Sequence, residues 1–297
     1  MKKQARITPS GFKLYGVFGY PLQHTLSPAM HQAGFEKLGL RNFYLPLELD
    51  PNHFRKLMLR KKDLLLEGFN LTIPHKQRVM PYLDSVSREA RMIGAVNTVV
   101  RKANRWYGEN TDAYGFLKSL IEEAHWKSRG KSILILGAGG AARACVYALC
   151  RDGAKKVFIL NRTVSKAKQL AGFFKRQFRG VQFEVYPLVP GRIRQLLASV
   201  DLVVHTTSLG LKSSDSPLVR KNYFPKAKGN RVAVDLIYNP PVTPFLRSAR
   251  QAGWKTLNGL GMLLHQGARS FELWTGKKAP VEVMRKALHG RIASVSI

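Results

Sequence analysis

Acidic residues are what this chain most lacks. Its 297 residues hold 18 Asp and Glu against 49 Lys and Arg, a formal net charge of +31. A surplus of that size excludes an acidic, solvating chain and favours anionic partners. The basic residues, among them Arg55-Lys56, Arg60-Lys61-Lys62 and Lys277-Lys278, are spread along the chain rather than gathered into one arm. No nucleic-acid-binding motif accompanies them, so a solvated basic surface is expected and nucleic acid is not the expected partner. Cysteine is nearly absent: Cys145 and Cys150 are the only two, five apart. On one helix that spacing rules out a mutual disulfide, and both are expected buried in a reducing, cytoplasmic protein. No apolar run approaches the ~20 residues that a bilayer span needs. The basic opening Met1–Arg6 is followed by no apolar core, so no secretory signal is expected. There is no His/Cys/carboxylate cluster at metal spacing and no internal repeat, and no metal is expected.

What is present alternates. From about 131 to 257, apolar strands at Ser132–Leu136, Lys156–Leu160, Gln182–Tyr186, Asp201–His205, Arg231–Leu236 and Trp254–Leu257 are separated by helices. Those helices begin near Ala141, Ser165, Arg192 and Thr243. This is the pattern of a doubly wound parallel sheet. The first strand runs into Gly137-Ala138-Gly139-Gly140-Ala141-Ala142. Gly137 permits a tight turn, Gly139 permits close approach to a pyrophosphate, and Ala142 fills the third small position. The phosphates are then expected at the helix N-terminus. The second strand ends in Asn161-Arg162-Thr163, where an acidic residue would hold the ribose of NAD. Arginine there suits a 2′-phosphate, so NADP(H) is the expected cofactor.

The first 115 residues are α/β with different punctuation. Strands are expected at Lys13–Gly19, Asn42–Leu47, Leu66–Leu71, Ala95–Arg101 and Arg105–Glu109, the last two hairpin-like. Helices are expected at Ser27–Leu38, with Ser27 as N-cap before Pro28, at Pro51–Arg60 and at Ser85–Ile93. Gly259–Trp274 and Val281–His289 read as helices that return to this first part. The expected fold class is therefore α/β with two domains. Residues 1–115, completed by helices in 258–297, form a substrate-binding and catalytic domain, and 116–257 form a Rossmann-like NADP domain. Strand ends in the first domain carry His24-Thr25-Leu26-Ser27, Asn70-Leu71-Thr72, Lys76, Asn97-Thr98 and Asn110-Thr111-Asp112. Hydroxyls, amides, one lysine and one carboxylate suit a small polyhydroxylated ligand.

These segments resemble the shikimate dehydrogenase family through Leu26-Ser27-Pro28, Asn70-x-Thr72-x-Pro74-x-Lys76, Gly94–Thr98, Asn110-Thr111-Asp112 and the glycine turn. Asp235-Leu236-Ile237-Tyr238-Asn239-Pro240 and Gly259–Gln266 extend the likeness over nearly the whole chain. The resemblance implies NADPH-dependent reduction of 3-dehydroshikimate to shikimate in aromatic amino-acid (chorismate) biosynthesis, by a monomer or homodimer. It implies Lys76 and Asp112 as the catalytic pair, and Thr25, Ser27, Asn70, Thr72, Asn97, Tyr238 and Gln266 as substrate contacts. It implies Gly137, Ala138, Gly139, Gly140, Ala141, Asn161, Arg162, Thr163, Lys166, Thr207, Gly259 and Met262 along the cofactor. Ser27 has helix capping as a rival role, and Met262 has core packing. Three positions depart from the family: Thr25-x-Ser27 for Ser-x-Ser, His205-Thr206-Thr207 for Asn-Ala-Thr, and Asn258 for an acidic residue. Quinate or NAD use, or a regulatory or nucleic-acid-binding protein on the same scaffold, are the alternative readings.

Overall fold

The computed structural model describes residues 11–22, 25–210, 219 and 223–295; the side chains of 292–295 are not described. Met1–Arg6 and His24 lie outside the described residues. The chain divides into two compact units, Met1–Thr111 with Gln266–Ile297, and Asp112–His265.

In the first unit the elements run β1 (Lys13–Gly19), α1 (Ser27–Lys37), β2 (Asn42–Glu48), α2 (Pro51–Leu59), β3 (Leu66–Leu71), α3 (His75–Arg78), β4 (Ser85–Val86), α4 (Arg88–Ile93), β5 (Thr98–Lys102) and β6 (Arg105–Glu109). The sheet order is β2-β1-β3-β5-β6-β4. β1 lies parallel to β2 and β3, while β5 is antiparallel to β3 and β6. Phe18, Phe54, Phe69, Val99 and Trp106 form part of one core.

In the second unit the elements are α5 (Asp112–Ala124), β7 (Ser132–Leu136), α6 (Gly140–Arg151), β8 (Lys156–Asn161), α7 (Val164–Lys175), β9 (Gln182–Pro187), α8 (Pro190–Leu197), β10 (Leu202–His205), β11 (Val232–Asp235), α9 (Pro244–Gln251) and β12 (Lys255–Leu257). Their sheet, β12-β11-β10-β7-β8-β9, is parallel throughout, with the order reversing at β7 as in a doubly wound fold. β7 and β8 are apolar and buried from Ile133 to Leu136 and from Val157 to Leu160, as strands covered on both faces must be. Cys145 and Cys150 are free and buried on α6, as expected.

The division between units falls within α10 (Leu260–Thr275), and α11 (Val281–Val295) packs along α1. A Cβ at Gly34 of α1 would sit 3.1 Å from Phe271 and 3.4 Å from Met284, so the helices meet closely because Gly34 has no side chain.

Three expectations fail. Ser27 is not an N-cap: Leu26 holds that position in the αR region, and α1 makes no side-chain cap bond. Ser85–Ile93 is not one helix, because Ser87 caps α4 by accepting from Ala90 N at 3.2 Å, and Ser85-Val86 pairs with Tyr107-Gly108 instead. The strand expected from Ala95 begins only at Thr98.

Candidate active site

In the first unit the polar residues named at strand ends converge on one hydrogen-bonded cluster. Asn70, at the end of β3, donates through Nδ2 to Thr98 Oγ1 at 3.0 Å and Ser270 Oγ at 3.1 Å, and accepts from Tyr44 Oη at 2.8 Å. Ser27 makes a side-chain hydrogen bond to the same Tyr44 hydroxyl. Burial pushes the Tyr44 hydroxyl well above its ordinary titration range, so it stays protonated and able to donate. Asn97 accepts from Thr111 N at 2.7 Å and donates through Nδ2 to Gln266 Oε1 at 3.2 Å. Asn70, Asn97 and Gln266 are buried. Buried amides held by several partners have fixed orientation, which is what recognising a hydroxylated ring requires.

Thr72 sits on the turn that follows β3, and Lys76 on α3 just beyond it. Thr72 packs against Gly19, where a Cβ would come within 2.3 Å of Thr72 Cγ2. His75 N donates to Thr72 O at 2.8 Å, and Val96 N donates to Lys76 O at 2.8 Å. His75 is buried, stacked on Phe54 at 4.1 Å, with Nε2 2.7 Å from Leu49 O. The backbone carrying the half-buried Lys76 is therefore fixed from both sides. Thr25 is half-buried, and its Oγ1 accepts from Ser27 N at 3.4 Å. Asp112 is buried at the start of α5, and belongs with Tyr238 to the second unit.

In the second unit the glycine turn has the expected build. Gly137 has φ +117°, a conformation that favours glycine. A Cβ at Gly139 would meet nothing within 4 Å, so the backbone there faces open space. Gly139 is the N-cap of α6, with no side-chain cap bond and no acidic residue in the first turn. Uncapped N–H groups at a helix start fit a pyrophosphate. Arg162 and Lys166 are exposed beyond β8, and Asn161 Nδ2 donates to Thr163 O at 2.9 Å, bracing the turn that carries Arg162. These are cations with room for a 2′-phosphate. Gly259 has a packing reason: a Cβ there would lie 2.0 Å from Leu236 O. Asn258, one of the three departures named above, accepts through Oδ1 from Leu260 N at 3.0 Å at the start of α10. Met262 is buried.

The sequence reading named Thr111 among the strand-end residues but not Tyr44 and Ser270, nor His205 with Asp235. Ser270 had a signal, being one helical turn beyond Gln266 and so on the same face.

A parallel doubly wound unit with a glycine turn and an arginine after its second strand, on one chain with a polar cluster built for a small ligand, defines a nucleotide-dependent oxidoreductase of the two-domain α/β class. The chain matches the family model described as shikimate dehydrogenase substrate binding domain over residues 17–99. It matches shikimate / quinate 5-dehydrogenase over 119–260 and the shikimate 5′-dehydrogenase C-terminal domain over 259–289. It is 43% identical to a shikimate dehydrogenase (NADP(+)) of Desulforamulus reducens, over 94% of this chain and 95% of that protein. A shikimate 5-dehydrogenase of Thermus thermophilus, solved with NADP(H) and shikimate, is 38% identical with a TM-score of 0.79, over 94% of this chain and 99% of that one. A quinate dehydrogenase of Corynebacterium glutamicum, solved with NAD, is 30% identical with a TM-score of 0.83, over 94% and 99%. The chain belongs to the shikimate dehydrogenase family.

Proposed function

We propose that this protein reduces 3-dehydroshikimate to shikimate with NADPH, reversibly, in the cytoplasmic synthesis of chorismate and the aromatic amino acids. The observation that carries this reading is the buried cluster of Asn70, Asn97, Gln266 and their partners, on the same chain as a glycine turn followed by Arg162. The nicotinamide, when bound, supplies a hydride to the carbonyl carbon. Negative charge then grows on the carbonyl oxygen, and Lys76 is the cation that stabilises it and the acid that protonates it. Asp112 is the carboxylate that completes the acid–base pair. Asn70, Thr72, Asn97, Gln266 and Tyr238 orient the ring hydroxyls, and Thr25 and Ser27 take the carboxylate. Ser27 is suited to this because its hydroxyl has no capping duty. Arg162 and Lys166 hold the 2′-phosphate. Absorbance at 340 nm with NADP or NAD, each with shikimate or quinate, tests the reading. Turnover with NADP and shikimate is expected to dominate, and no turnover in any of the four combinations refutes it.

The likeness to a quinate dehydrogenase favours one second reading, in which the same site oxidises quinate. Thr25, with a methyl group more than serine, narrows the carboxylate end and argues for the smaller range. A monomer or homodimer without nucleic acid is the assembly we expect, its basic surface serving to attract the two anionic ligands.

A further inference from the structure

A buried His–Asp pair closes the second unit's sheet beside the glycine turn. His205 and Asp235 are 1% and 0% exposed and end adjacent strands, β10 and β11. The Asp235 carboxylate accepts from His205 Nδ1 at 3.1 Å, Thr243 Oγ1 at 2.6 Å and Ile237 N at 3.1 Å. A carboxylate only accepts, so Nδ1 of the imidazole carries a proton. Thr207 Oγ1 lies within hydrogen-bond distance of Nε2, at 2.6 Å, and accepts from Leu209 N at 3.2 Å. The ring also packs on Phe245, with centroids 5.3 Å apart. Thr207 is thus tied to the core through His205.

This tether borders the turn that suits the pyrophosphate. Thr206 bonds Leu136 O through both N (2.8 Å) and Oγ1 (2.9 Å). A Cβ on Gly137 would come within 2.4 Å of Thr206 Oγ1 and 3.2 Å of Thr207 Cγ2. Thr206 and Thr207 therefore form a wall against Gly137. An Asn at 205 would lack the ring that spans from Asp235 to Thr207.

Resting on the dinucleotide reading above, we propose that His205 is a positioning residue of the cofactor site. Held by Asp235, it fixes Thr207 and so presets the wall that a dinucleotide meets at the glycine turn. It serves the part shared by NADPH and NADH rather than the 2′-phosphate. Equilibrium titration of NADPH and NADH fluorescence, with calorimetric titration of shikimate, tests this on the full chain. His205→Ala and Thr207→Val should each weaken both dinucleotides by roughly tenfold, the scale of one lost buried hydrogen bond. Shikimate affinity should stay within about twofold, and the double variant should be no worse than the weaker single one, because both act through one contact. Thr207→Val keeps the side-chain shape at a half-buried position, so the test survives a His205 variant that does not fold. Dinucleotide affinities equal to wild type overturn the proposal, as do additive losses or a parallel loss of shikimate affinity. A wild-type protein that binds neither dinucleotide refutes the functional reading itself.

Discussion

Replacing Arg162 by alanine tests the cofactor assignment at a single side chain. Arg162 is exposed at the end of β8, on a turn braced by the Asn161 Nδ2 to Thr163 O bond of 2.9 Å. Alanine therefore removes a charge without disturbing the turn. A guanidinium facing one unit of phosphate charge at 4 Å contributes about 1 kcal/mol in bulk water and about 4 kcal/mol at the effective dielectric of a protein surface. A hydrogen bond to a charged group falls at about 1.5–3 kcal/mol, within that range. NADPH should accordingly bind about 10- to 150-fold more weakly to the variant, while NADH changes by less than about twofold. Salt supplies a second arm: the wild-type preference for NADPH should shrink as ionic strength rises from about 0.05 to 0.5 M, since the pair is solvent-exposed. The assay is fluorescence titration of each reduced dinucleotide, followed by kcat/KM for both. Equal losses for NADH and NADPH would falsify the assignment, because an arginine that reads the 2′-phosphate has nothing to read in NADH.

Lys76→Ala should lower kcat by about 100-fold or more with KM for shikimate little changed, since the lysine works in the transition state; steady-state turnover near wild type removes it from the mechanism. Asn70→Ala should cost about 2–3 kcal/mol in urea unfolding, because the Tyr44, Thr98 and Ser270 hydroxyls lose their partner in a buried cluster; an unchanged midpoint would count against the network. His31 is buried, stacked 4.4 Å from Tyr44, with neither ring nitrogen hydrogen-bonded, and burial pushes its pKa down to about 3. The unfolded chain takes up that proton near pH 6.5 and the fold only near 3. Its contribution is therefore complete above about 6.5 and lost as pH falls to 3, on the order of 5 kcal/mol in full. His31→Phe should move acid unfolding to lower pH, and circular dichroism showing the wild-type midpoint refutes this.

Strands were the most readable part of the fold. Lys13–Gly19, Leu66–Leu71, Arg105–Glu109 and Ser132–Leu136 run between the bounds expected of them, because β-branched and aromatic runs meet turn residues at both ends. Ser27 and Ser87 show where reading stops. Both are serines at a helix start, yet only Ser87 caps, since capping depends on whether the preceding residue is already helical. Ser27, one residue inside its helix, turns its hydroxyl to Tyr44 instead. The members of the polar cluster could be named from strand ends, but not the partners that orient them. Asn70 and Ser270 are two hundred positions apart, a distance no local pattern spans. Asn258 and Gly259 were read as family positions, whereas their local reasons, a helix-start acceptor and a backbone approach, needed coordinates.

The late return of the chain constrains how it emerges from the ribosome. Trp274 stacks on Tyr15 and donates to Val99 O, and Phe271 stacks on Phe35, so tail residues supply part of the earliest segment's interior. During translation the opening stretch must wait, its aromatic faces uncovered, while Asp112–His265 is contiguous and already complete enough to collapse. A nascent chain halted shortly before Gln266 would hold a finished nucleotide unit behind an unfinished, adhesive leader. Residues 266–297 thus complete the first unit, and a stop codon before Gln266 should cost solubility before anything else.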